Sequence, residues 1–224
     1  MGRADGLKPS RHKGGHPPLP RAELPVDTVS LARYLIGKIL VREMAEGVAS
    51  GRIVETEAYV VGDAAGHAYR GMTPRNRALF LERGHAYVYL VYGSAYMLNV
   101  SGETAGIGAG VLIRALEPRD GIPIMQENRQ IERLRDLARG PGRLTAALRV
   151  DRRLNGLDLC REGPLWLGRG DSRTRQNRAE HQDRNRARCE PAPAILSSGQ
   201  SVRQRSKIAQ CMRARIAVAH LPSL

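Results

Sequence analysis

The sequence predicts a single α+β domain: a curved, largely antiparallel sheet with helices around it and one β-hairpin protruding from it. Three observations predict this class. Five β-branched runs separated by turn residues lie between positions 38 and 118, which is strand punctuation. Two of them are joined too tightly for a parallel crossover. Apolar residues at helical spacing occur on both sides of this stretch.

Taken in order, Asp27 or Thr28 caps a short helix whose apolar residues Val29, Leu31, Ala32, Leu35 and Ile36 recur at helical spacing until Gly37. The strands follow as KILVRE (38–43), GRIVETEAYV (51–60), AYVYLVY (86–92), YMLNVSG (96–102) and GVLIRALEP (110–118). Between the second and third, Thr73-Pro74 places an N-cap before a proline at the first helical position, so a short helix runs through Leu81 to Gly84. A longer helix is expected over 121–138, closing near Gly140-Pro141-Gly142, with a further short one around Leu144 to Leu148. No internal repeat is present.

Charge and aromatic residues are unevenly placed. The 224-residue chain has a formal net charge of +14, which favours a polyanionic partner such as nucleic acid or an acidic membrane surface. All nine aromatic residues (Tyr34, Tyr59, Tyr69, Phe80, Tyr87, Tyr89, Tyr92, Tyr96 and Trp166) fall between positions 34 and 166, and about ten of the excess positive charges lie on the two ends. Residues 1–25, rich in Gly, Pro and basic side chains, read as a flexible basic arm. Residues 26–170 read as the folded domain, and 171–224 as an Arg-rich, aromatic-free tail that is disordered or frame-altered. Cys160, Cys189 and Cys211 are few, odd in number and form no metal-binding spacing. They fit a reducing cytosol, and with no apolar leader and no run of 18 apolar residues the expectation is neither secretion nor membrane spanning.

Two features carry candidate chemistry. Glu55 and Glu57 are two apart on an expected strand and therefore share a face. They suit either a solvated strand face or a carboxylate base beside a second acid, the latter being what hydrolysis of a glycosidic bond requires. Tyr59 continues that face, and His67 follows one short loop later. The second feature is the tyrosine series in GHAYVYLVYGSAYMLN. Cross-strand aromatic packing accounts for Tyr87, Tyr89 and Tyr96. Tyr92, beside Gly93-Ser94, projects from the hairpin tip, where a bulky side chain is suited to enter a minor groove and unstack a base step.

The pieces ETEAY, HAYRG, TPRN, YVYLVYG, LNVSG, VLIRALEP and GPGRL, in this order between about Ser30 and Trp166, together resemble the alkyladenine (3-methyladenine) DNA glycosylase family. The resemblance implies a monomeric, monofunctional enzyme of base excision repair acting on double-stranded DNA that contains damaged purines. Such an enzyme flips the base into a pocket and hydrolyses its N-glycosidic bond, with no cofactor and no metal. Matched motif by motif, it implies Glu57 as the general base that activates water. Tyr59 and His67 form walls around the flipped base, and Tyr89 stacks to close the pocket. Asn99 crowds the exocyclic amine of normal guanine, Tyr92 fills the gap left in the duplex, and Arg114 reaches a backbone phosphate. The place of work is the cytoplasm and nucleoid of a bacterium or the nucleus of a eukaryote.

Independent physics agrees with this assignment. A lesion that weakens pairing is the cheapest base to extrude, and a cationic alkylated purine is attracted to a tyrosine-lined pocket. A good leaving group lessens the need for an acid, so Glu55 is free to be structural. A lyase needs an amine nucleophile, and Lys8, Lys13, Lys38 and Lys207 all lie outside the motifs. The likeness stops after Trp166, where family members continue into a further strand region with aromatic residues and a Gly-Asn-Pro-like close. The tail therefore reads as replaced or frame-altered. Two other classes compete: a non-catalytic basic DNA-binding protein derived from a degenerate glycosylase, and a sugar glycosidase using Glu55 and Glu57. Same-face carboxylates lie on one side of a bond, not across it, which disfavours the latter.

Overall fold

A computed structural model describes residues 15–170 and the backbone of 215–217. Seven strands form one antiparallel sheet: β1 (Ile39–Met44), β2 (Gly47–Tyr59), β3 (Ala86–Val91), β4 (Ala95–Ser101), β5 (Gly110–Pro118), β6 (Leu165–Gly168) and β7 (Arg215–Ala217). Six of them lie in the order β3-β4-β5-β2-β1-β6, and β7 adds to β2. Three helices, α1 (Thr28–Leu35), α2 (Ile122–Arg129) and α3 (Pro141–Ala147), complete an α+β domain. The helix expected over 121–138 is shorter. Gln130 takes a left-handed φ of +53°, which ends α2 and leaves a 3-10 turn at Leu134–Asp136. The helix expected from Thr73 is a 3-10 turn at Arg77–Phe80, and the β6 pairing was not anticipated.

Successive side chains on each strand point to opposite faces, and both faces are covered along much of the sheet, so that β6 is buried at all four positions. On one face Ala86, Val88, Leu98, Val100, Val111 and Ile113 meet Leu31, Leu35, Leu144 and Leu148 from the helices in the main core. The other face carries Glu57, Tyr59, Tyr87, Tyr89 and Asn99. α1 is fixed at both ends of its contact with the sheet. Asp27 Oδ1 accepts from the Ser30 amide at 2.7 Å, and buried Thr56 of β2 donates to the Ala32 carbonyl at 3.0 Å.

Residues 15–25 differ from the expected arm. Leu19 and Leu24 are buried in the main core, the Leu19 amide donates to the Leu167 carbonyl, and Trp166 Nε1 donates to the His16 carbonyl. Two leucines there bury enough apolar surface to hold an otherwise polar stretch. Residues 1–14 of the arm, and the tail apart from the β7 backbone, lie outside the described residues. Among the described residues no helix is long and apolar enough to cross a membrane.

Candidate active site

The site is a row across the sheet. Strand register sets Tyr87 opposite Asn99, Asn99 opposite Leu112, and Leu112 opposite Glu57. With strands roughly 4.8 Å apart, this row spans about 14 Å. It links residues that are far apart in sequence without any loop.

Two irregularities aim the charges. Register shifts on either side of Glu55 leave Val54 unpaired on β2 and Arg114 unpaired on β5, a pair of bulges that re-aims the side chains around it. Arg114 then spans both acids. Its Nε donates to Glu55 Oε1 at 2.8 Å and its Nη1 donates to Glu57 Oε2 at 2.5 Å. Glu55 and Glu57 do share a face, and one guanidinium bridges them. Arg114 stays partly exposed beside Glu57.

A small cavity of about 40 Å³ lies beside this row, lined by Tyr59, Ala65, His67, Leu79, Tyr87, Tyr89, Asn99 and Gly110. The expected pocket residues Tyr59, His67, Tyr89 and Asn99 therefore meet in one place. Aromatic side chains in mutual contact form one wall of it. His67 and Tyr89 sit 4.4 Å apart between ring centroids, and Tyr87 stacks on Tyr89 at 5.2 Å. Asn99 is buried and its Nδ2 donates to the Tyr87 carbonyl at 3.3 Å. Space of this size holds a few waters; a purine enters only if the rings part.

Burial sets the protonation of this cluster. It pushes Tyr59 and Tyr87 up to about 12, with the Glu57 carboxylate adding to the effect at Tyr59. Tyr89 is raised for the same reasons. His67 is lowered, first by burial and then by the positive charge of Arg75. The pocket at neutral pH is thus three phenols and a neutral imidazole.

Sequence reading missed two residues here. Asn76, buried in the TPRN segment, ties down the loop that carries His67: its Nδ2 donates to the His67 carbonyl at 2.8 Å and to the Gly71 carbonyl at 3.0 Å. Its Oδ1 accepts from the Thr73 amide at 2.6 Å. The other is Tyr87, which packs as expected but also holds His67 Nδ1 at 2.8 Å. An asparagine just after a Thr-Pro turn was the available signal for the first.

Tyr92 stands apart from the cavity at the β3–β4 tip. Tyr92 and Gly93 have φ of +46° and +71°, and the Val91 carbonyl accepts from the Ser94 amide at 3.0 Å, a primed hairpin turn. The Tyr92 side chain is 99% exposed.

A model of the methylpurine-DNA glycosylase (MPG) family matches residues 22–189, three quarters of the chain. The chain belongs to the methylpurine-DNA glycosylase family. It is 74% identical over 158 residues to a protein of Mesorhizobium japonicum, covering 70% of this chain and 76% of that one. A protein of Paraburkholderia phytofirmans is 55% identical over 151 residues, covering 67% and 71%. A third, from Methanoculleus marisnigri, is 49% identical over 149 residues, covering 66% and 77%. All three are provisionally named 3-methyladenine DNA glycosylases. In this glycosylase-family chain the matched region takes in the whole row from Glu57 to Tyr87, the His67 loop and the Tyr92 hairpin.

Proposed function

We propose that this protein removes alkylated or deaminated purines of the 3-methyladenine type from duplex DNA by flipping the base and hydrolysing its N-glycosidic bond. The observation that carries the reading is the Arg114-held Glu57 carboxylate, one row across from an aromatic cavity and two residues from Tyr59, which lines it. A carboxylate held in this way orients a water and takes its proton as the sugar develops oxocarbenium character. Tyr59, His67 and Tyr89 sandwich the extruded base and attract a cationic one through their ring faces. Asn99 restricts guanine at the cavity floor.

Tyr92 enters the duplex in place of the flipped nucleotide. A bulky residue held at positive φ with its whole side chain in solvent is costly for the fold and suits a wedge. Arg114, besides ordering Glu57, meets the phosphate beside the flipped sugar. The net charge of +14 supplies sequence-independent affinity. Lys38, the lysine among the described residues, lies over the Tyr34 ring at 4.2 Å, away from the cavity, which supports hydrolysis by water over a Schiff-base lyase.

The test is release of free base from duplex oligonucleotides bearing hypoxanthine or from methylated DNA. The wild type is expected to release base, and Glu57→Gln is expected to lose about 10²-fold or more while still binding the duplex. Binding with no base released by either protein would establish the non-catalytic DNA-binding class instead.

A further inference from the structure

We infer that Tyr87 is a positioning residue that fixes the tautomer of His67, so that the cavity presents an imidazole Nε2–H donor and favours lesions with a matching acceptor. The inference rests on the glycosylase reading above and adds a source of substrate preference to it.

The argument starts from two groups that share one hydrogen bond. Tyr87 is 1% exposed and its hydroxyl lies 2.8 Å from His67 Nδ1, with the rings edge-on at 5.9 Å. A neutral imidazole has one N–H, and a neutral phenol has one O–H. If Nδ1 carried the proton, it would donate to the phenol oxygen, and the phenol O–H would need a second acceptor. Among the described residues none stands within hydrogen-bond reach of that hydroxyl. A buried hydroxyl without a partner gives up its hydrogen bond to water and gains none in return. The phenol therefore donates to Nδ1, and the proton of His67 sits on Nε2. Nε2 has no hydrogen-bond partner among the described residues and His67 lines the cavity, so this N–H is the one left for a ligand. Burial, which disfavours both the imidazolium and the phenolate, keeps the two groups in these states at neutral pH.

The consequence is selective. A neutral lesion such as hypoxanthine is a poor leaving group and presents oxo and ring-nitrogen acceptors, so it gains from a donor in the pocket. A cationic 3-methyladenine leaves readily and depends on it less. Removing the Tyr87 hydroxyl leaves the ring in place but lets His67 exchange tautomers and tilt.

The experiment uses the full chain, wild type and Tyr87→Phe, with ¹⁵N-labelled histidine, and His67→Gln to assign the resonance. In the wild type the His67 spectrum is expected to show a protonated Nε2 and a pyridine-like Nδ1 at pH 7.5, and in Tyr87→Phe a mixture. Single-turnover excision of hypoxanthine by Tyr87→Phe is expected to fall about tenfold, and that of 3-methyladenine by less than about threefold. A protonated Nδ1 in the wild type overturns the inference, because it needs no functional variant to be read. An equal loss on both lesions, or an unchanged ratio, overturns it too. If the wild type releases no base, the glycosylase reading fails, and the tautomer is still decided by the spectrum.

Discussion

At the scale of single residues, the site is a set of neutral aromatic groups beside two carboxylates that Arg114 holds, and the neutrality of the aromatic groups has a pH signature. An unfolded phenol titrates near pH 10, while burial raises Tyr59 and Tyr87 to about 12. Between these limits the folded chain keeps protons that the unfolded chain has lost, so stability falls as pH rises. His67 works in the opposite direction. Its folded value lies below the ordinary 6.5, so as pH falls past 6.5 the unfolded chain takes up the proton first and stability is lost. The urea midpoint of the wild type is expected to drop between about pH 7.5 and 5.5 by more than that of His67→Gln, and between about pH 9.5 and 11.5 by more than that of Tyr87→Phe. Equal drops in each comparison would show that these groups do not carry the dependence. Glu57, Tyr59, His67, Tyr89 and Asn99 were legible as residues because alternation places Glu57 and Tyr59 on one face and motif matching picks out the rest. Arg114 was legible as a residue but not in its bond to both acids, because a bulge on each of two strands is invisible to a period-two reading.

At the scale of elements, loop and hairpin divide the labour and respond differently to substitution. Asn76 makes three side-chain hydrogen bonds that close the loop under His67. At about 1 kcal/mol each, Asn76→Ala is expected to cost about 2–4 kcal/mol and to lower excision together with stability, as followed by thermal melting and base release. The hairpin should separate the two. Tyr92 touches solvent almost everywhere and holds φ at +46°, a conformation that glycine adopts freely. Tyr92→Gly is expected to keep or raise stability by up to about 1 kcal/mol while excision from duplex DNA falls about tenfold or more. A matching loss of stability would mean that Tyr92 serves the fold. The strand runs and the first helix were readable because each carries its own periodicity and caps. α2 was overextended because apolar spacing continues past Arg129, whereas the chain turns at Gln130, and a left-handed glutamine leaves no mark in composition.

At the scale of the molecule, the issue is how the C-terminal segment relates to a domain whose described core is complete without it. Every described core residue lies between Leu19 and Leu167, and the short polar stretch at 15–25 joins that core through two leucines that a compositional reading averages away. Composition also hides the one described feature of the tail: β7 pairs with β2 so that Arg215 stands opposite Glu57 and Ala217 opposite Glu55. Three residues of strand carry no signal in an Arg-rich segment, since pairing is decided by the open edge of β2 and not by local sequence. That edge runs along the backbone of both acids. Without β7, the amides and carbonyls of Glu55 to Glu57 on that side meet water, and the segment that aims the carboxylate loses its hydrogen-bonded neighbour. A chain ending at residue 170 is therefore expected to unfold cooperatively, with a midpoint within a few degrees of the full chain's, because its core is intact. Its excision rate is expected to fall about tenfold or more, because small displacements of a positioned carboxylate are expensive for chemistry. Single-turnover base release and thermal melting of the two chains side by side decide it. Equal rates would remove β7 from the site, and a non-cooperative melt of the shorter chain would make the C-terminal segment part of the fold itself.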